Sequence, residues 1–160
     1  MTVDAGDWET SFADLEETCQ RAVRAALASE LADRGTSCEV SILLTDDDAV
    51  RDLNRTWRGQ DKPTNVLSFP AQDEIDDAPD ADMPLLLGDL VVAYQTVLRE
   101  AQSETKPPAA HVAHLLVHGT LHLLGFDHAT TDEAEAMEAR EVAILATLGV
   151  PDPYRGEVPA

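Results

Sequence analysis

The feature that most constrains the fold is a run of histidines in the C-terminal half of the chain. Two of these histidines are four residues apart, so on a helix their rings lie on one face with β-carbons ~5–6 Å apart. Two imidazoles placed in this way can both bind one metal ion at ~2.0–2.1 Å. All five histidines of the 160-residue chain fall within this run: His111, His114, His118, His122 and His128.

The spacing of His128 requires a turn after the helix. Six residues beyond His122, a continuous helix would carry this ring ~240° away and raise it ~9 Å. Gly125 lies between them and lets the chain leave the helix and fold back. The pattern HxxxHxxGxxH therefore supplies three metal ligands together with the turn that assembles them.

The ligand set predicts an open metal site. Imidazoles indicate zinc, with other divalent transition metals as less favoured occupants. Structural zinc has four protein ligands, whereas catalytic zinc has three and keeps a water. His114 lies ~12 Å from His122 along the helix and cannot bind the same ion. Unless Cys38 or a carboxylate supplies a fourth ligand, the sequence predicts one catalytic-type zinc per chain. His114 could be a proton donor, a partner of a ligand or a packing residue.

The same spacing occurs in metzincin peptidases, as HExxHxxGxxH. Their general base, a glutamate, corresponds to Gly119 in this chain. A carboxylate next to the zinc-bound water takes its proton when an amide is attacked. Its absence argues against peptidase activity, unless another segment provides a glutamate.

Hydrophobic periodicity predicts the element order α-β-α-β-β-α-α-α. The predicted helices cover about 11–35, 46–58, 94–102, 107–124 and 130–149. The predicted strands cover 38–44, 65–69 and 85–93. The acidic, proline-containing residues 71–84 are interpreted as a surface loop. This order indicates one small sheet covered by helices, in a single α+β domain over 1–160 with its core at about 10–150.

Capping residues mark several of the helix ends. Ser11 is predicted to cap the first helix, which ends near Gly35, and Asp46 caps the second. Thr130 and Glu133 form a capping-box pair for the last helix. The apolar side chains expected on the second helix are Ala49, Leu53 and Trp57.

The formal net charge of −20 excludes several classes of protein. Such a surface repels nucleic acid and anionic membranes at long range, which argues against a general RNA- or DNA-coating protein but not against one local basic patch. No apolar run approaches the ~18 residues of a membrane span, and no signal peptide is evident. A cytoplasmic location is expected, with both cysteines reduced.

One segment runs against the overall charge. Residues 51–62 carry four basic and two acidic side chains, a net +2. Arg51, Arg55 and Arg58 share one helix face, and guanidinium groups suit phosphate oxygens. Offsetting the helix C-terminus or pairing with nearby acids is the alternative interpretation of all three, and it is the preferred one for Arg51 and Arg55.

Three stretches resemble the YbeY family of bacterial rRNA maturation endoribonucleases. HGTLHLLGFDH at 118–128 is similar to the family signature, and LGDLVV at 87–92 is similar to its LGDI-type strand. Residues 51–70 resemble the LNxxYRxxDxPTNVLSFP block, with Trp57 where tyrosine is usual. The resemblance covers about residues 10–150.

This resemblance implies an α+β fold with a small mixed sheet and one zinc held by His118, His122 and His128. It also implies single-strand-specific RNA cleavage in 16S rRNA 3′-end maturation and 70S ribosome quality control. The expected partners are single-stranded rRNA and the small ribosomal subunit with its assembly factors. The expected sheet has four strands or fewer, with about five helices around it.

The candidate catalytic residues are Arg58 and His114. Arg58 matches the family's YR position and is the candidate for holding the scissile phosphate. The sequence does not reveal a general base or whether water or the RNA 2′-OH attacks. Two other functions stay open: a ribosome-assembly binding protein with a structural zinc, and a metal-dependent hydrolase of another substrate.

Overall fold

A computed structural model of the chain describes residues 1–4, 6–31, 38–71 and 85–154. These residues form an α+β fold with a four-stranded mixed sheet and six helices, which confirms the predicted class. The strands are β1 (Thr2–Val3), β2 (Cys38–Thr45), β3 (Val66–Pro70) and β4 (Leu85–Ala93). The helices are α1 (Trp8–Ser11), α2 (Leu15–Leu31), α3 (Asp47–Arg58), α4 (Tyr94–Ser103), α5 (Pro108–Leu123) and α6 (Thr131–Thr147).

The sheet has the strand order β1-β2-β4-β3. β1, β2 and β4 run parallel, and β3 runs antiparallel to β4 at one edge. Against β2, the register of β4 passes from Leu86 to Gly88, so β4 bulges by one residue. β1 and β3 are the edge strands of this sheet.

Helix α5 lies at the centre of the larger core. Ten of its sixteen residues are buried, which is expected of a helix that is apolar almost all round. Apolar residues of α2, α6 and one face of the sheet pack around it. On the other face of the sheet, Val50 of α3 packs with Leu67, Val91 and Ala93. The helix predicted to carry two metal ligands is thus the most buried of the described helices.

Several predicted helix ends are confirmed. The Asp46 carboxylate accepts a hydrogen bond from Ala49 N–H at 2.9 Å, and the Thr130 hydroxyl accepts one from Glu133 N–H at 3.1 Å. Helix α5 begins at Pro108, where the missing N–H of proline costs nothing.

Other expectations at the N-terminal end and on α3 are wrong. Ser11 does not cap the first long helix: it ends the separate short helix α1, and its hydroxyl bonds with Tyr94. Asp14 has a φ of +51°, so α2 begins only at Leu15. Trp57 is not packed, since α3 has passed its apolar partners by that turn, and 69% of its surface is exposed.

Some expectations concern other parts of the chain. The helix end near Gly35 and most of the 71–84 loop lie outside the described residues. Cys19 is buried as expected, and burial raises the pKa of its thiol to about 11, so it remains a thiol. Among the described residues, no helix has the length and apolar character needed to cross a bilayer.

Gly88 is the glycine that the sheet depends on most directly. Its φ is +151°, and an added β-carbon would lie 2.3 Å from the Phe69 carbonyl oxygen. We expect Gly88→Ala to lower the free energy of unfolding by about 3–5 kcal/mol, because strain and overpacking add. Chemical denaturation measures this loss.

The matched control is Gly59→Ala. Gly59 has a φ of +70°, but a β-carbon there meets nothing within 4 Å. Only the left-handed backbone penalty of about 1–2 kcal/mol applies. Equal losses in the two variants would contradict the packing argument for Gly88.

Candidate metal centre and groove

Three histidine side chains converge at the C-terminal end of α5. Ligand-type nitrogens of His118, His122 and His128 all lie within 4.8 Å of one another. The Nε2 atoms of His118 and His122 are 3.1 Å apart. Two nitrogen ligands at ~2.0–2.1 Å from one tetrahedral ion are separated by about 3.3 Å, so the pair fits a metal ion with almost no movement.

The turn at Gly125 brings His128 back, as the spacing predicts. Gly125 has a φ of +103°, its N–H donates to the His122 carbonyl at 3.0 Å, and Phe126 N–H donates to the Leu121 carbonyl at 3.0 Å. These two bonds form a Schellman motif, which ends a helix with one left-handed residue. A β-carbon at Gly125 would meet nothing within 4 Å, so the glycine serves the backbone conformation and not close packing.

Hydrogen bonds to the other ring nitrogens set the direction of two imidazoles. His122 Nδ1 lies 2.9 Å from the Phe126 carbonyl oxygen, and His118 Nδ1 lies 2.5 Å from Glu141 Oε1. Both partners are acceptors, so each Nδ1 carries the proton and each Nε2 offers its lone pair to the metal. Burial lowers the pKa of His122, as does the charge of His118, which favours the neutral, metal-binding form.

The third histidine is exposed and belongs to the turn. His128 N–H donates to the Asp127 carboxylate at 2.7 Å, so Asp127 stabilises the turn backbone. Its ring is stacked with that of His118, with centroids 5.9 Å apart. Because His128 is exposed, the three-histidine cluster is accessible from the groove.

Glu141 is a fully buried carboxylate beside the metal centre, on α6. Burial raises its pKa, but hydrogen bonds from His114, His118 and Tyr154 outweigh that effect and lower the pKa to about 2. Glu141 is therefore ionised, and it holds His118 in the metal-binding tautomer. Carboxylates commonly support ligand imidazoles in this way.

Sequence reasoning missed Glu141. The available signal was its position in the apolar stripe of α6, where the other buried members are Met137, Ile144 and Leu145. A buried acid in such a stripe needs a partner, because an unpaired buried charge is costly. The partner is on another helix, 23 residues away along the chain, and no local pattern shows it.

His114 lies outside the three-histidine cluster, as its helical offset predicts. Its Nε2 is 3.2 Å from the Tyr154 hydroxyl and 3.5 Å from Glu141 Oε1. The rings of His114 and Tyr154 make an edge contact with centroids 5.4 Å apart. The structure therefore places His114 beside the carboxylate that supports His118, one contact away from the metal centre.

A groove of about 720 Å³ opens in front of the three histidines. Its opposite wall is formed by strand β3, the end of α3 and the loop between them. Arg58 lines this wall: its Nη2 donates to the Ser68 carbonyl at 2.7 Å, and its guanidinium lies 5.6 Å from the Phe69 ring centre. The structure thus brings Arg58 and the metal centre to the same groove.

The other two arginines of α3 are paired with acids, as the alternative interpretation holds. Arg51 forms a two-pronged pair with Asp61 at 2.7 and 3.1 Å, and Arg55 pairs with Asp52 at 3.0 Å. The residues that line the groove include two cationic side chains, Arg58 and Lys62, and one carboxylate, Asp127. The groove is therefore less acidic than the chain as a whole.

Gly119 faces the sheet and not the groove. An added β-carbon would lie 2.7 Å from Leu90 Cδ2 and 3.1 Å from Ser68 Oγ. Leu90 is fully buried and has little freedom to move. A glutamate at this position does not fit, which strengthens the argument against a peptidase.

The chain matches the family described as Endoribonuclease YbeY over residues 3–149. It is 52% identical to Endoribonuclease YbeY of Rhodopseudomonas palustris, over 98% of this chain and 80% of that one. It is 53% identical to the protein of that name from Azorhizobium caulinodans, over 96% of this chain and 94% of that one.

A solved structure shares the fold. The solution structure of TM1509 from Thermotoga maritima aligns with a TM-score of 0.51 at 21% identity, covering 99% of this chain and 95% of that one. Together with the family match over residues 3–149, the identities above half across nearly the whole length establish that the chain belongs to the YbeY family.

Proposed function

We propose that this chain is a single-strand-specific, zinc-dependent endoribonuclease that acts in 16S rRNA 3′-end maturation and 70S ribosome quality control. The observation that carries the proposal is one groove with a three-histidine centre on one wall and Arg58 on the other. Membership of a family described as Endoribonuclease YbeY supports RNA as the substrate.

The donor set supports zinc, one ion per chain. His118, His122 and His128 would hold it, with His118 and His122 binding through Nε2. Three imidazoles with no fourth ligand atom among the described residues match the ligand number of catalytic zinc. When bound, zinc supplies Lewis-acid chemistry for phosphodiester cleavage.

The residues of the chain orient the substrate and hold the protons of the site. The guanidinium of Arg58 is fixed by Ser68 and Phe69, and its remaining N–H groups can bind the scissile phosphate and its developing charge. Glu141 keeps the proton on Nδ1 of His118, so that Nε2 stays available. His114 Nε2 bonds with the Tyr154 hydroxyl, and both side chains contact Glu141.

The size and charge of the groove support a single strand as substrate. A volume of about 720 Å³ lies in the range of small-ligand sites and can hold a short stretch of one strand. Arg58 and Lys62 attract phosphates locally, while the net charge of −20 repels RNA elsewhere. We also propose a single domain over 1–160, a cytoplasmic location, and association with the small ribosomal subunit and its assembly factors.

The proposed metal site is tested by zinc content. We expect about one zinc per purified chain, and replacement of His118, His122 or His128 by Ala should largely abolish binding. His114→Ala is the matched control on the same helix, and it should keep the ion. Elemental analysis after dialysis measures the content. Full zinc content in all three ligand variants would exclude this site.

Glu141 is expected to strengthen zinc binding through His118. Glu141→Gln keeps the shape of the side chain but removes its charge, and we expect zinc affinity to fall about 10–100-fold. Competition with a chelator measures the affinity. Glu138→Gln changes an exposed glutamate of the same helix and should leave affinity unchanged. Equal affinities in the two variants would contradict the role of Glu141.

Arg58 is expected to act on the phosphate and not on the fold. Arg58→Ala should leave zinc content and thermal stability nearly unchanged while cleavage of a single-stranded rRNA fragment falls ~10²–10³-fold. Arg58→Lys should not restore full activity, because one ammonium cannot reproduce the two-pronged contact. Rates of cleavage by zinc-loaded protein test both variants.

The control for Arg58 is Arg55→Ala, which removes an exposed arginine that is paired with Asp52. It should retain wild-type cleavage. If Arg58→Ala lowered the melting temperature and left cleavage intact, Arg58 would be a helix-end residue, and a ribosome-assembly binding protein would become the better proposal.

A further inference from the structure

A histidine–carboxylate pair lies outside the three-histidine cluster. His111 is on α5, seven residues before His118, and 5% of its side chain is exposed. Its Nε2 is 2.9 Å from Oε1 of Glu100, on α4. The proposed mechanism makes no use of either group. The imidazole is buried, whereas 39% of the Glu100 side chain is exposed, so the bond joins a buried ring to a carboxylate near the surface.

Glu100 also holds the first residue before strand β3. The same oxygen, Oε1, accepts a hydrogen bond from Asn65 Nδ2 at 3.0 Å. The Asn65 side-chain oxygen accepts the N–H of Val66 at 2.7 Å, and its backbone carbonyl accepts the N–H of Ala93 at 2.9 Å. Asn65 therefore links α4 and α5 to the start of β3.

The charge state of Glu100 strengthens both bonds. The hydrogen bond from His111 lowers the pKa of Glu100, burial raises it, and the bond from Asn65 lowers it further. The carboxyl group is ionised, and hydrogen bonds to an ionised acceptor are about twice as strong as neutral ones.

Strand β3 carries the contact that holds Arg58. The Asn65 carbonyl bonds with Ala93 of β4, and the Ala71 N–H bonds with Leu87. In an antiparallel ladder the bonded residues alternate, so the backbone groups of the even-numbered residues between them point towards the outer edge of β3. Ser68 is one of these, and its carbonyl accepts from Arg58 Nη2. Ser68 Oγ also donates to the Gly119 carbonyl of α5 at 3.4 Å. The position of Arg58 relative to the metal centre therefore depends on how β3 is placed against α5.

We propose that Glu100, held by His111, is a positioning residue for RNA cleavage. Through Asn65 it fixes the start of β3 against the metal-binding helix, and β3 in turn fixes Arg58 across the groove from the three histidines. The inference rests on the proposed function and adds a residue remote from the groove floor. A small displacement of a phosphate-binding group is enough to lower the rate of a reaction that depends on alignment.

The test is a double-mutant cycle between Glu100 and Arg58. We expect Glu100→Ala to lower kcat on a single-stranded rRNA fragment about 10–100-fold, with zinc content unchanged. In the Arg58→Ala background, the same replacement should change kcat by less than about threefold, because the group that it positions is already absent. Glu100→Gln keeps one oxygen that can accept from both Asn65 and His111, so it should recover most of the activity.

Glu104→Gln is the matched control. Glu104 follows Glu100 on the next turn, and its carboxylate lies 3.8 Å from His111 Nδ1, but it makes no bond to Asn65. It should retain wild-type kcat. Melting temperature and zinc content are measured for every variant.

The outcomes separate this inference from the proposed function. An equal relative decrease in kcat with and without Arg58 would show a general structural effect and overturn the positioning role. A wild-type kcat in Glu100→Ala would overturn it as well. A loss of zinc parallel to the loss of kcat would also overturn it. If the wild-type chain fails to cleave RNA, the proposed function itself fails, and the positioning role fails with it.

Discussion

The placement of four histidines on the most buried helix constrains much of the rest of this structure. Helix α5 is enclosed by the sheet and by other helices, yet it carries four of the five histidines of the chain. A buried imidazole must find a hydrogen-bond partner, and a buried partner that is charged must itself be neutralised. His111 Nε2 bonds with Glu100 of α4, and His118 Nδ1 bonds with Glu141 of α6.

The bonds to Glu100 and Glu141 fix helix α5 against α4 on one side and α6 on the other. Glu141 connects α5 to α6 and to Tyr154, and Glu100 connects it to the start of β3. The bond to Glu141 thus orients the ring of His118, while the facing wall of the groove is built on the edge strand β3. The two halves of the proposed active site are joined by polar contacts as well as by the apolar core.

Local patterns predicted the parts of the site that depend on neighbouring residues. The four-residue spacing of His118 and His122 and the turn at Gly125 follow from helix geometry and backbone conformation alone, and the structure brings His128 to them. The α+β class followed from the order of periodic segments. The two-residue strand β1 was missed, because its two residues carry no periodicity and pair only through β2.

Long-range partners could not be predicted in the same way. No local pattern identifies the partners of Glu141 and Glu100. Their roles depend on contacts with residues 11 to 35 positions away. Trp57 was placed on an apolar face by its spacing, but the apolar partners under α3 end before its turn. Spacing shows which residues share a helix face, and tertiary packing decides how far that face is covered.

The close contact of Gly119 with Leu90 and Ser68 restricts how this active site can evolve. In a chain with a peptidase-like histidine spacing, one codon change at position 119 would introduce the glutamate of the peptidase motif. Here that substitution is unfavourable, because the new side chain would have to enter the packed space between α5 and the sheet. The substitution would become acceptable only after other changes had moved the helix or replaced the facing side chains with smaller ones. The peptidase-type glutamate is therefore one residue change away in sequence, but the packing of the core disfavours it.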